Sequence, residues 1–232
     1  MKKILVSLIF IILFANCSKE KSIISEKNQL LNRQEQISII SNDKVFMEFL
    51  KIDKEIISKS NEAGSNNIEM LNILLQKKFN DLNTKIKLEK GLQEAGFENS
   101  KTLIELFEKK LKLGIYLVGK YNFLSKLKQD DLKLFLKEAI AATNEIVSSE
   151  FTLAADECSG MYAVGMQGCG DAFAITAAGV SIAASLAALG GTPIMGSITF
   201  YTGMGLAYLQ LESCKATVVA EWRICREAHP IN

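Results

Sequence analysis

Four of the five cysteines fall in the last third of the chain as two pairs, Cys158/Cys169 and Cys214/Cys225, each pair eleven residues apart. Eleven residues at about 100° each return to within about 20° of the start, so the members of a pair share one helix face, about 16 Å apart along the axis. A disulfide needs Cα atoms roughly 4.4–6.8 Å apart, so neither pair can bond to itself inside a helix. Cys158 with Cys225 and Cys169 with Cys214 are both symmetric about the bond between Gly191 and Thr192, the middle of Gly190-Gly191-Thr192-Pro193. Two antiparallel helices joined by that turn would be bridged in this way at two levels. The parallel pairing conflicts with a tight turn. Thiolate clusters also bind metals, but in this register and outside the cytoplasm the four thiols are expected to oxidise, and no metal site is expected.

Other groups capable of chemistry are few. Asp156, Glu157, Glu221 and Glu227 would meet at the open end of the hairpin with Arg223 and Arg226. Paired carboxylates can do acid–base work, but solvated ion pairs at helix ends are the expectation here. The only histidine, His229, stands three residues from the last position, Asn232, where a Ser-His or Cys-His mechanism would have to recruit it. Gly203-Met204-Gly205 lacks the strand before it and the lysine after it that a phosphate loop needs. Trp222 and Tyr162 would share one end of the hairpin as core or interface residues. No catalytic residue and no cofactor is expected, and an enzyme working through acidic residues alone is the weakest of three readings.

The elements that would hold these groups are helical. The run from Ala172 to Leu211 carries no charge, and the mirror register sets Ala178 against Gly205, Val180 against Gly203, Ser181 against Thr202 and Ala187 against Gly196. Small residues opposite one another let helices approach closely, in water or in lipid. Gly165, Gly168 and Gly170 are places where the first helix could kink, since each Gly costs a helix about 1 kcal/mol against Ala. The two legs of the charge-free run, Ala172–Leu189 and Ile194–Leu211, have eighteen residues each, near the lower limit for crossing a bilayer. The run is read as a central hairpin buried under other helices; the alternative is a hairpin that enters lipid.

Upstream, Ser41-Asn42-Asp43 offers cap chemistry to an amphipathic helix through Val45, Phe46, Phe49, Leu50, Ile52, Ile56 and Ile57. A second helix is expected from Ile68 to about Ala95, through Leu82, Ile86 and Leu92, with Gly96 just past its end. A third starts at Asn99 or Ser100 and runs to Val118, and a fourth follows Asp130-Asp131 through Leu132, Leu134, Phe135, Leu136, Ile140 and Ile146. Four amphipathic helices with short joints make a small bundle. The expected fold is all-α, and after Ser149 the composition changes from Lys/Glu-rich to Ala/Gly-rich.

The first residues form a targeting segment: Lys2 and Lys3, an apolar stretch from Ile4 to Ala15, then Asn16-Cys17-Ser18. This resembles a bacterial lipoprotein signal, which implies cleavage before Cys17 and acylation of that cysteine. The site differs from the commonest pattern at Phe14 and Asn16, a relaxation familiar in lipoproteins of the Bacteroidetes. The expected organisation is a signal peptide (1–16), a lipidated Cys17 with a polar tether (17–41), the bundle (42–149) and the disulfide-clamped hairpin (150–232). Removing residues 1–16 leaves 216 residues, enough for one domain with a real core. A formal net charge of +1 provides no field that would select nucleic acid.

The hairpin pattern, with Asp171 two residues after Cys169, resembles uncharacterised secreted proteins of the Bacteroidetes, and no activity is implied by that. The apolar Ala/Gly hairpin between cysteines is also loosely similar to bacteriocins of the halocin type. The reading is an envelope lipoprotein, on the outer rather than the inner membrane. Its partners are the bilayer, through the acyl anchor, and an unidentified protein, and its role is binding or structural. The alternative is a membrane-active, bacteriocin-like toxin.

Overall fold

Helix starts and stops follow local chemistry closely in this chain. The computed structural model describes residues 32–63, 83–143, 156–190 and 193–229. Seven helices occupy them: α1 (Arg33–Ser41), α2 (Lys44–Ala63), α3 (Lys85–Glu94), α4 (Ser100–Lys120), α5 (Gln129–Ala142), α6 (Glu157–Leu189) and α7 (Pro193–Ala228). A 3-10 turn, Asn122–Lys126, joins α4 to α5. There is no strand among the described residues, and the fold is all-α.

Asp43 is the residue that caps α2: its Oδ1 accepts from the amides of Val45 at 2.6 Å and Phe46 at 3.2 Å. At the end of α3, Gly96 adopts φ +86°, the left-handed region. Its N–H donates to the Gln93 carbonyl, and the Phe97 N–H donates to the Leu92 carbonyl, the paired bonds of a glycine-terminated helix. Phe97 and Leu92 are both buried, which completes that motif. Asn99 starts α4 without a side-chain cap; its amide instead donates to the Lys59 carbonyl at 2.7 Å and ties α2 to the α3–α4 joint.

Two expectations are corrected. The polar tether does not extend to residue 41, because α1 begins at Arg33 and sets Ile40 fully into the core. Of the helix expected from Ile68 to about Ala95, residues 68–82 lie outside the described residues, and the described part starts only at Lys85, after a bend at Asn83-Thr84 where Thr84 accepts from the Lys87 amide. That new start turns Ile86 outward, 78% exposed. Leu134 is likewise half-exposed, because Leu132, Phe135 and Leu136 already fill the inner face of α5. Cys17, the signal segment and Ile146 lie outside the described residues.

The compositional change near Ser149 is not a change in packing. One buried cluster joins Ile52 and Ile56 of α2, Leu88 and Leu92 of α3 and Phe107 of α4 to Phe173, Ala177, Phe200, Met204 and Tyr208 of the last two helices. The other joins Ile40, Phe46, Phe49, Leu117 and Phe135 to Ala178 and Ile182 of α6. The α6–α7 hairpin is therefore the common partner onto which the amphipathic helices place their apolar faces. Gly114 of α4 makes one of these approaches possible, since a Cβ there would lie 2.7 Å from Ser185 Oγ and 3.3 Å from the Ser181 carbonyl oxygen.

Candidate functional site

The hairpin has the expected covalent frame. Cys158 is bonded to Cys225 and Cys169 to Cys214, each with Cα atoms 5.7 Å apart. The first leg does not break at its glycines; α6 is continuous over 33 residues. Asp156 caps it by accepting from the Ser159 amide at 2.9 Å. Gly190 closes α6, its amide donating to the Leu186 carbonyl, and Pro193 is the first residue of α7, where its missing N–H costs nothing. Gly191 and Thr192 lie outside the described residues.

The register is the mirror one. A Cβ on Gly203 would lie 2.6 Å from Val180 Cγ1, and one on Gly165 would lie 2.9 Å from Val218 Cγ1. Gly196 is wedged against the Ala184 carbonyl and Ala188 rather than against Ala187. Ser181 and Thr202 are both buried but do not pair: the Ser181 hydroxyl donates back to the Ala177 carbonyl at 2.7 Å. Thr202 Oγ1 has no hydrogen-bond partner among the described residues.

At the open end the charged groups form a cap, not an acid–base pair. Arg226 donates to Asp156 at 3.0 Å and to Ser159 Oγ at 2.8 Å. The Ser159 amide, with the Arg226 charge behind it, holds the Asp156 carboxyl below the usual range. Glu157, Glu221, Arg223 and Glu227 are exposed. Trp222 and Tyr162 are half-buried against each other, ring centroids 5.8 Å apart, with the Arg226 guanidinium 5.6 Å over the indole. His229 is exposed, its backbone amide continuing the helix onto Cys225. No grouping of His, Cys, Asp and Glu among the described residues could hold a metal.

Three buried polar clusters escaped the sequence reading. In the first, Lys110 and Asp53 are both completely buried, with Nζ 2.8 Å from Oδ2. The ammonium also donates to the Phe49 carbonyl at 3.2 Å and sits 3.5 Å over the Phe49 ring. Burial pushes the Asp53 carboxyl up to about 6 against the pull of Lys110. The same burial pulls the Lys110 pKa down, with Asp53 opposing. Spacing carried a signal: Leu103, Phe107, Lys110, Gly114 and Leu117 form one stripe of α4, so a lysine stands at a core position.

In the second, Asp43 accepts from Lys120 and from the Tyr121 hydroxyl while it caps α2. Burial alone would raise its carboxyl, but these two donors and the Val45 and Phe46 amides outweigh that and hold it at about 2. In the third, Lys215 donates to Ser60, Ser60 donates to Glu212, and Lys215 lies 3.3 Å from Glu212. The Tyr208 hydroxyl lies beside this group without an aligned hydrogen bond, and burial raises its pKa.

A serine next to a lysine can be a nucleophile with its base. Here Lys215 is the donor to Ser60, burial lowers the lysine pKa against the opposing pull of the Glu212 carboxylate, and Ser60 itself is buried. The cluster is a satisfied hydrogen-bond chain that fastens α2 to α7. Compared with known proteins, the chain matches no family model, no curated protein sequence and no solved structure.

Proposed function

We propose that the chain is an envelope lipoprotein, held to a bilayer through acyl groups on Cys17, with a binding or structural role rather than a catalytic one. The observation that carries this reading is the twice-bridged hairpin at the centre of the fold. Disulfides persist in oxidising compartments and not in the cytoplasm, which agrees with the export signal read at the N-terminus. The hairpin is an arm as well as a core. Beyond Cys169 and Cys214, its outer ends bury only Cys158 and Met166, while Met161, Val164 and Ile224 are exposed there. A stiff, covalently stapled projection of this kind is suited to contact a second protein. A hairpin that opened to insert in a target membrane would have to give up the core it shares with α2, α4 and α5, so the toxin reading has the weaker support.

Mass spectrometry of the N-terminal peptide from membrane-extracted protein, together with non-reducing fractionation, tests the reading. The expected result is an acylated Cys17 and four oxidised cysteines in the envelope fraction. An unmodified Cys17 in the mature chain, or four free thiols in a cytosolic protein, would refute it.

A further inference from the structure

The two bridges of the hairpin differ in how far solvent reaches them. Cys158 is 3% exposed, Cys169 is 1% exposed, and Cys225 is half-buried. Of the four, only Cys214 is exposed. The backbone of a residue in mid-helix is covered by the turns on either side. A cysteine side chain is only Cβ and Sγ, so the exposure of Cys214 is that of its sulfur and the carbon next to it. The inner bridge therefore has one sulfur in the core, clustered with Phe173 and Leu211, and the other at the surface.

The surroundings keep that sulfur open. Residues three or four positions from a cysteine share its helix face. Beside the bridge these include Ala172 on α6 and Gln210 and Thr217 on α7; Gly168 stands next to Cys169, and all four residues are exposed. A Cβ on Gly168 would meet nothing within 4 Å. Side chains on a helix lean toward its N-terminus. Gln210 thus leans away from Cys214, while Ala172 and Thr217 lean toward the bridge with too few atoms to cover it. The outer bridge is held shut. Arg226, next to Cys225, reaches across to Asp156 at 3.0 Å and to Ser159, next to Cys158, at 2.8 Å. Cys158, in the first turn of α6, would make a better leaving thiolate than Cys169, but a sulfur must be reached before it can be exchanged.

We propose that Cys214 is a thiol–disulfide exchange site, through which a dithiol opens the inner bridge of the folded chain while the outer bridge stays closed. A thiolate of the dithiol attacks Cys214 Sγ. An S–S bond forms there, the bond between Cys214 and Cys169 breaks, and its electron pair leaves on Cys169 Sγ. That sulfur takes up a proton and remains in the core as a small apolar thiol. The second thiolate of the dithiol then attacks its own half of the mixed disulfide and releases Cys214 as a thiolate. The dithiol ends as a disulfide and the bridge as two thiols, a two-electron exchange. The level that opens is the one where the arm meets the core. The two helices lose one of their two fixed points there, and the arm loosens against the body of the fold. The proposal goes beyond the envelope reading and does not depend on acylation of Cys17.

The test uses the isolated protein with both bridges formed, in native buffer, and dithiothreitol as the dithiol. At successive times free thiols are blocked with an alkylating reagent. The remaining bridges are then reduced in denaturant and blocked with a heavier isotopic form, and the peptides are weighed. Cys169 and Cys214 should be blocked first, at least about tenfold faster than Cys158 and Cys225, the factor that a local opening of about 1.4 kcal/mol at the outer bridge imposes. With glutathione in place of dithiothreitol, the mixed disulfide trapped by acid should be found on Cys214 and not on Cys169. An outer bridge that opens first, two bridges that open together, glutathione on Cys169, or an inner bridge that opens only in denaturant would each overturn the proposal.

Discussion

Replacing Lys110 with methionine leaves the Asp53 carboxyl inside the core with nothing to neutralise it. Both groups are inaccessible to water, and Asp53 Oδ1 has no hydrogen-bond partner among the described residues even in the intact protein. The variant's carboxyl must therefore stay protonated to remain buried. Holding it neutral at pH 7, when its ordinary pKa is 3.8, costs about 4 kcal/mol at 1.36 kcal/mol per unit. At pH 5 the same arithmetic leaves between one and two kcal/mol, roughly. The double variant Lys110→Met/Asp53→Val removes the charge problem, and buried ion pairs replaced by apolar groups are often neutral in stability. It should lie within about 2 kcal/mol of the parent at either pH, the residue being the lost contact of the ammonium with Phe49. Urea unfolding of parent, both single variants and the double, at pH 7 and pH 5, measures all of this as a double-mutant cycle. A single variant that loses less than about 1 kcal/mol at pH 7, or fails to recover at pH 5, would refute the reasoning. So would a double variant as unstable as Lys110→Met.

Three further outcomes are expected. Asp43, held at about 2 against an ordinary 3.8, contributes stability that is present above pH 4 and lost as the pH falls through 2. Asp43→Asn should remove about 2 kcal/mol at pH 7 and flatten that acid limb in a pH series of melts. Gly196→Ala should destabilise by about 1–3 kcal/mol, because the new methyl would meet the Ala184 carbonyl oxygen at 2.8 Å. Gly168→Ala, with nothing within 4 Å, should stabilise α6 by about 1 kcal/mol in the same thermal assay. Removing the inner bridge as Cys169→Ala/Cys214→Ala should cost on the order of 4 kcal/mol, from a sequence separation of 45. The outer pair Cys158→Ala/Cys225→Ala should cost less and show as faster amide exchange confined to the arm, which buries little.

What could be read in advance depended on how local the determining physics was. The bridge pairing follows from helix geometry and a turn, so Cys158, Cys169, Cys214 and Cys225 were sufficient to specify it. Gly96 and Asp43 are likewise decided within four residues of themselves. Thr84 was missed because the apolar period runs on to Leu88 and Leu92 past the bend, and a single threonine cap competes poorly with that pattern. Helix α1 was missed because only Ile37 and Ile40 mark its inner face, and its docking site belongs to α2, α4 and α5. The buried polar clusters required partners far apart in sequence: Asp53 meets Lys110, and Ser60 meets Glu212 and Lys215. A charged residue on an apolar stripe can be seen from spacing, but its partner cannot. Ile86 and Leu134 are the opposite error, apolar residues in phase with a pattern whose inner face was already full.

Helix pairs often carry signals by sliding, one element moving past the other by a turn. Here that motion is closed off. Each bridge holds its Cα atoms 5.7 Å apart. Sliding α7 along α6 by one turn, about 5.4 Å, would stretch that separation to about 8 Å, beyond the roughly 6.8 Å a disulfide tolerates. Two such bridges at different heights also prevent the helices from splaying or scissoring about either one. The hairpin therefore behaves as a strut and not as a piston. A force or a binding event at its outer tip can tilt or rotate the whole molecule, but it cannot be relayed as a shift between the two helices. Whatever touches the arm reads a fixed length.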